Sequence, residues 1–265
     1  SNMKIAVCIK MVPNSDQVKI DPKTHNLIRE DVEMVINPSD MNALTEAIHI
    51  RELAGGTIDV FTMGIADAKN ILYTALAIGA DRAFLVTDRA FAGGDSLGTA
   101  RVLATAVKNT DAYDLVLCGA LSADGATGQV GPMIAELLGL PSVSLIKTAE
   151  EITGECITVS KSYKGQKLFL ELPMPCLFTV GLGVNQPVLP TLRSQMKAKK
   201  KEIQVLTNTE LGIDPSVIGK AGALSVVTDT YESEKSSTRS IMLEGDAEVA
   251  AKKIKDLMDE IMEKG

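Results

Sequence analysis

Short apolar runs alternate with stretches of helical spacing along the first half of the chain. Residues 4–10 (KIAVCIK) are brief, β-branched and placed at the very start, which predicts a first, central strand. Val18, Ile20, Leu27 and Ile28 flank an Asp-Pro-Lys-Thr turn and predict a small hairpin outside the main sheet, with His25 solvated in the turn. An amphipathic helix is expected over residues 41–53, entered through INPSD, with Ser39 or Asp40 as its N-cap and Gly55 and Gly56 as its stop. Strand 58–63, helix 67–78 and strand 82–86 follow, then a helix, strand 115–118, helix 127–138 and strand 142–146. This alternation argues for an α/β, doubly wound, mainly parallel sheet with helices on both faces and right-handed crossovers.

From Cys156 the pattern changes. ITVSKSY, KLFLEL and CLFTVGL, separated by Gly165, Pro173 and Pro175, read as antiparallel strands that complete the sheet. Residues 184–240 hold Pro187, Pro190 and Pro215 and little apolar periodicity, so they read as an arm lying on another surface. Val249, Ile254, Leu257, Met258 and Ile261 share one face of a final helix, residues 245–264, packed on its own domain or on a partner. The expected division is a nucleotide-binding domain of residues 1–183 followed by a partner-contacting arm and helix of residues 184–265.

Two loops carry the candidate chemistry. After strand 115–118 the chain breaks at Gly119 into small and polar residues, including Ser122, Asp124, Gly125, Thr127, Gly128 and Gln129, before a helix begins. After strand 82–86, DRAFAGGDSLGT repeats the arrangement with Gly93, Gly94, Asp95, Ser96, Gly98 and Thr99. Any α/β protein uses such residues to leave a strand and start a helix. Two of them at strand carboxyl ends, each offering first-turn N–H groups and a helix dipole to an anion, point further, to a nucleotide crossing the sheet's rim. The INPSD corner has two readings, a plain helix entry or a ligand-facing turn.

Composition narrows the classes. A formal charge of −7 and 3% aromatic residues with no Trp argue against a nucleic-acid protein. The four cysteines lie far apart without a C-x-x-C, which argues against a metal site or disulfide framework and fits reduced thiols in a cytoplasmic protein. No apolar run reaches the roughly 18 residues of a membrane span. GGDSLGT lacks the spacing and lysine of a P-loop, and GLGVNQ is not a dinucleotide fingerprint. Neither His25 nor His49 follows a core strand, so no Ser-His-acid set stands out and no catalytic side chain is nominated; the chemistry is expected to be a cofactor's.

VCIKMVPNSDQVKID, INPSD, ALAIGADRAFLVTD, DGATGQVGPMIAELLGLP and LPTLRSQMKAKKKEI together resemble, in order and over nearly the whole chain, the β subunit of electron transfer flavoproteins. The resemblance implies a sheet of the adenine nucleotide α-hydrolase-like type and a heterodimer with an FAD-carrying alpha subunit. In that family the β subunit holds AMP in ordinary carriers and a second FAD in bifurcating ones. Carried over by position, the adenosine pocket takes Cys8, Asn37, Pro38, Ser39, Asp40, Met63, Gly119, Ala120, Leu121, Ser122, Ala123, Asp124, Gly125, Ala126, Thr127, Gly128, Gln129 and Val130. Partner recognition falls on residues 190–195, with Leu192 as its apolar anchor beside a basic run whose two readings are a solvated helix end and a docking element. The glycine-rich DRAFAGGDSLGTARVLA resembles the FAD-containing branch: Ser96 and Thr99 would supply hydroxyls, and Asp88, Arg89, Gly93, Gly94 and Asp95 would shape the approach. FAD is therefore expected over AMP. The implied redox partners are acyl-CoA dehydrogenases, NADH, ferredoxin or flavodoxin, and NADH oxidation would apply only to a bifurcating member. Two rivals are an ATP-binding sensor like the universal stress proteins and an enzyme acting on a nucleotide, which lacks any visible acid, base or metal set.

Overall fold

A computed structural model describes residues 2–14, 19–28, 32–121 and 128–223, together with 252, 255 and 256. Residues 1–226 form one compact unit and residues 227–265 a second; the expected final helix lies almost wholly outside the described residues.

The first unit is built on strands β1 (Lys4–Cys8), β6 (Thr57–Met63), β7 (Arg82–Val86), β8 (Leu115–Gly119), β9 (Ser142–Ile146), β13 (Cys176–Val180) and β14 (Gln204–Leu206). They form one sheet in the order β14-β7-β6-β1-β8-β13-β9, and every neighbouring pair is parallel. β1 is central, with β6 on one side and β8 on the other. Chain order reverses between β1 and β8, which makes the gap above their carboxyl ends the place where open α/β sheets hold ligands.

Period-two side chains split the core into two layers. Ile5, Val7 and Ile9 face one way, against α1 (Pro38–Ala54) and α2 (Lys69–Ile78), whereas Ala6 and Cys8 face α3 (Ser96–Thr110) and α4 (Val130–Leu138). Phe61 stacks on Phe84, ring centroids 4.7 Å apart, and meets Tyr113 edge-on within the second layer. Two small pairs stand outside the sheet: β3 (Lys19–Ile20) with β4 (Leu27–Ile28), as the hairpin reading expects, and β2 (Met11–Pro13) with β5 (Met34–Ile36), which that reading does not include.

Three expectations need correction. None of the three runs from Cys156 onward extends the main sheet as an antiparallel strand. β10 (Thr148–Thr153), β11 (Cys156–Tyr163) and β12 (Gln166–Pro173) form a separate antiparallel sheet, while CLFTV enters the main sheet as a parallel strand between β8 and β9. The cause lies in what each strand faces: all five residues of β13 are buried, as a strand covered on both faces requires, whereas β12 leaves Leu168 and Phe169 exposed on opposite sides. The helix entered through INPSD is capped by neither Ser39 nor Asp40; Asn37 is its N-cap residue and Pro38 its first helical position, where a missing N–H costs nothing.

The stretch from residue 184 does not leave the sheet. Its α5 (Leu192–Ala198) packs on α2, and β14 then forms the sheet's edge beside β7. Short helices α6 (Asn208–Leu211) and α7 (Gly219–Gly222) follow over the α3 layer, with Leu211 and Ile218 buried there. Among the described residues no helix is long and apolar enough to cross a membrane.

Candidate functional site

A cavity of about 880 Å³ opens over the carboxyl ends of β1, β6, β7 and β8. That lies near the upper end of the roughly 300–1,000 Å³ typical of cofactor sites. Both small-residue corners contribute. Cys8 and Met63 line it from strand ends; Asp88, Arg89, Gly93, Gly94, Asp95, Ser96 and Thr99 from one corner; Gly119, Ala120, Leu121, Gly128, Gln129 and Val130 from the other. Ser122, Ala123, Asp124, Gly125, Ala126 and Thr127 lie outside the described residues.

The INPSD corner divides its labour. Asn37 and Asp40 reach the cavity wall; Pro38 is solvent-exposed, and Ser39 is buried with its hydroxyl donating to Leu121 O. Asn37 Nδ2 donates to the same carbonyl at 2.7 Å and to Ser39 Oγ at 3.1 Å. Asp40 bridges two strand exits: Oδ2 accepts from Lys10 N–H at 2.9 Å and Oδ1 from Gly119 N–H at 2.8 Å. The helix entry is thus a tie bar between β1 and β8, and it fixes the separation of the loops above the switch point. Gly119 is demanded by this approach, since a Cβ there would stand 2.2 Å from Ser39 Oγ and 2.6 Å from Asp40 N.

Burial dominates the electrostatics of the floor. It pushes the Asp40 carboxyl up to about 7, against the N–H donors of Gly119 and Lys10 and the Lys10 charge, which favour ionisation. The Cys8 thiol is pushed up to about 12, chiefly by burial and further by Asp40, and Cys118 is raised in the same way. Both sulfurs remain neutral thiols at physiological pH, a soft and uncharged floor rather than a nucleophile.

The second corner is shaped by two carboxylates. Asp88 caps a one-turn 3₁₀ helix, accepting from Ala90 N–H at 2.9 Å, and Asp95 caps α3, accepting from Gly98 N–H at 2.9 Å. These bonds turn the backbone so that Gly93, Gly94, Ser96 and Thr99 face the cavity. Asp88 is held below the usual carboxylate range by the N–H groups of Ala90 and Asn208.

Sequence reasoning missed Lys10, Ile65, Thr87, Phe91, Leu103, Cys118 and Gly131, which also line the cavity. Cys118 was within reach: it is the register partner of Cys8 on the adjoining parallel strand, so both sulfurs lie on one face. Thr87 follows the end of β7 directly and Lys10 stands two residues past the end of β1, as rim residues do. Leu103 gave no signal, being one more apolar position of α3.

Leu192 is elsewhere. It opens α5 at 75% exposure, behind a capping box in which Thr191 Oγ1 accepts from Ser194 N–H and Ser194 Oγ accepts from Thr191 N–H. Leu189 and Met196 are exposed beside it, and the basic run, residues 197–201, begins in the last turn of the helix and continues past its end.

A doubly wound parallel sheet with a large cleft over its switch point defines a cofactor-associating α/β protein. Residues 24–211 match the electron transfer flavoprotein domain, and the chain belongs to the electron transfer flavoprotein family, among its beta subunits. It is 42% identical over 236 residues to the electron transfer flavoprotein subunit beta of Thermoanaerobacterium thermosaccharolyticum, covering 88% of this chain and 90% of that protein. The corresponding subunit of Clostridium acetobutylicum is 38% identical, covering 96% and 94%. The caffeyl-CoA reductase-Etf complex subunit CarD of Acetobacterium woodii is 38% identical, covering 82% and 83%.

Proposed function

We propose that the chain binds FAD across both corners and works as the beta subunit of an electron-carrying heterodimer. The observation that carries this reading is the continuity of the cavity: one space runs from Asn37 and Gly119 to Ser96 and Thr99. A mononucleotide needs one corner, whereas a dinucleotide has use for both.

The residues present fit such a ligand. The first corner presents backbone and the Asn37 side chain over neutral thiols, a suitable seat for an adenosine half. In the second, α3 directs the positive end of a 15-residue helix at the cavity, Ser96 and Thr99 add hydroxyls, and Arg89 and Lys10 bring cationic side chains to the wall. Asp95 commits the Gly98 N–H, so a diphosphate would draw on the rest of this donor set. FAD, when bound, would supply two-electron uptake and one-electron release; the chain would hold it beside the apolar Phe91 and Leu103 and over the neutral thiols of Cys8 and Cys118.

In this reading the donor is NADH or a CoA-ester dehydrogenase, and electrons leave toward the FAD of an alpha subunit and, in a bifurcating member, also toward a low-potential carrier such as ferredoxin or flavodoxin. The relative named as part of a caffeyl-CoA reductase-Etf complex supports a CoA-ester oxidoreductase as partner. Exposed Leu189, Leu192 and Met196 are the surface we assign to docking. Purification of the full chain with its alpha subunit, followed by nucleotide release and identification, tests the proposal. Two FAD per heterodimer is the expected result; one FAD with one AMP overturns it.

A further inference from the structure

Residues 204–222 do more than finish the sheet, for they cover the outer side of the loop whose inner side lines the cavity. Thr87 N–H donates to Leu206 O at 2.9 Å, and Lys220 N–H donates to Ala92 O at 2.9 Å. Arg101 Nη1 donates to Val217 O at 3.0 Å. Gly219 sits at φ +59°, so close beneath the loop that a Cβ on it would stand 2.0 Å from Ala90 O. Asp88 joins the two segments with one carboxylate: Oδ1 accepts from Ala90 N–H inside the loop, and Oδ2 accepts from Asn208 N–H of α6 at 3.0 Å. A loop tied along its outer side at Thr87, Asp88 and Ala92 has its glycines placed by groups that never touch the cavity.

We infer that the backbone N–H of Asn208 is a positioning group for the bound dinucleotide: through Asp88 it fixes the second corner, without lining the cavity itself. This rests on the proposal that FAD spans both corners. The first corner is braced separately, through Asp40 and Ser39, so a ligand confined to it gains nothing from Asn208.

The bond can be removed with little damage to the helix. Asn208 is the first residue of α6, where proline is tolerated, and Thr207 before it is extended at φ −107° and ψ 176°, as a residue preceding proline prefers. Asn208→Pro also deletes the side chain, which bonds Ile213 N–H and O at 3.0 and 2.9 Å; Asn208→Ala deletes only that and keeps the N–H. Comparing the two variants isolates the N–H. Dissociation constants of the full chain for FAD, by flavin fluorescence, and for AMP, by calorimetry, are measured with thermal midpoints. The proline variant should bind FAD about tenfold more weakly than the alanine variant, the usual scale for a hydrogen bond to a charged group, with AMP affinity unchanged. Equal FAD affinity in the two variants overturns the inference, as does a parallel loss for AMP. A wild-type chain that binds AMP and no FAD instead overturns the functional proposal beneath it. Hydrogen exchange on the wild type gives a readout free of mutation. By reciprocity FAD should slow exchange at the Asn208 and Lys220 amides and AMP should not; no slowing by FAD counts against the inference.

Discussion

Asp40 shows how one side chain serves both the fold and the pocket. It is buried between two strand exits, accepts an N–H from each, and is nonetheless raised from 3.8 to about 7 because desolvation outweighs those bonds. The unfolded chain ionises this group above about pH 4, whereas the folded chain keeps the proton until about pH 7. Folding therefore takes up a proton in that interval, and stability contributed here falls as pH rises through it. Asp40→Asn loses one acceptor but does not titrate, so its stability deficit relative to wild type should shrink by about 2–4 kcal/mol between pH 4.5 and 7.5 in denaturant titrations. A deficit independent of pH would contradict this account. The sequence showed Asn37 to Asp40 as a corner, because Asn-Pro-Ser-Asp before a helical run is local chemistry. It could not show that Ser39 and Asp40 reach Leu121 and Gly119, some 80 positions away, since that contact exists only once β8 lies beside β1.

At the level of elements, legibility followed burial. β1, β6, β7 and β8 are short apolar runs covered on both faces, and each was readable to within a residue or two. β13 is of the same kind, yet its position after three antiparallel strands made it look like one of them; only its unbroken burial tells it apart. β14 has three residues, two of them exposed, so periodicity had nothing to register. α5 hides its role for the opposite reason. Its Ala198 anchors it in the core while Leu192 and Met196 stand at 75% and 62% exposure, an apolar surface that the described residues leave uncovered. Leu192→Ala should leave the unfolding free energy within about 0.5 kcal/mol of wild type and slow electron delivery from the donor. Unchanged delivery with every acceptor would remove α5 from the docking surface.

Across the whole molecule the two rims of the sheet have separate duties. The carboxyl rim holds the cavity; the amino rim holds a polar network centred on Asp59, which is 3% exposed and accepts from Arg82 Nη2 at 2.6 Å, Arg82 Nε at 3.1 Å and Tyr113 Oη at 2.6 Å. Burial and the bond to Asp59 both raise the Tyr113 hydroxyl's pKa, so it stays a donor at any working pH. Tyr113→Phe takes away one donor and leaves Asp59 its guanidinium, which should cost about 1–3 kcal/mol of stability without altering nucleotide affinity. A matching loss of affinity would mean that the rims are coupled. Such a division is invisible in a sequence, where Asp59 and Tyr113 are isolated polar residues at strand starts, and it appears only with the parallel register of β1, β6, β7 and β8. The same register sets an order of events in synthesis. The partner of β7 along its outer edge is β14, and about 118 residues separate the end of one from the start of the other. At about 5–20 residues per second the nascent protein carries a bare β edge for roughly 6–24 s. For that interval the chain offers an unpaired backbone ladder to any neighbouring strand, and the arrival of three residues, Gln204–Leu206, ends the exposure.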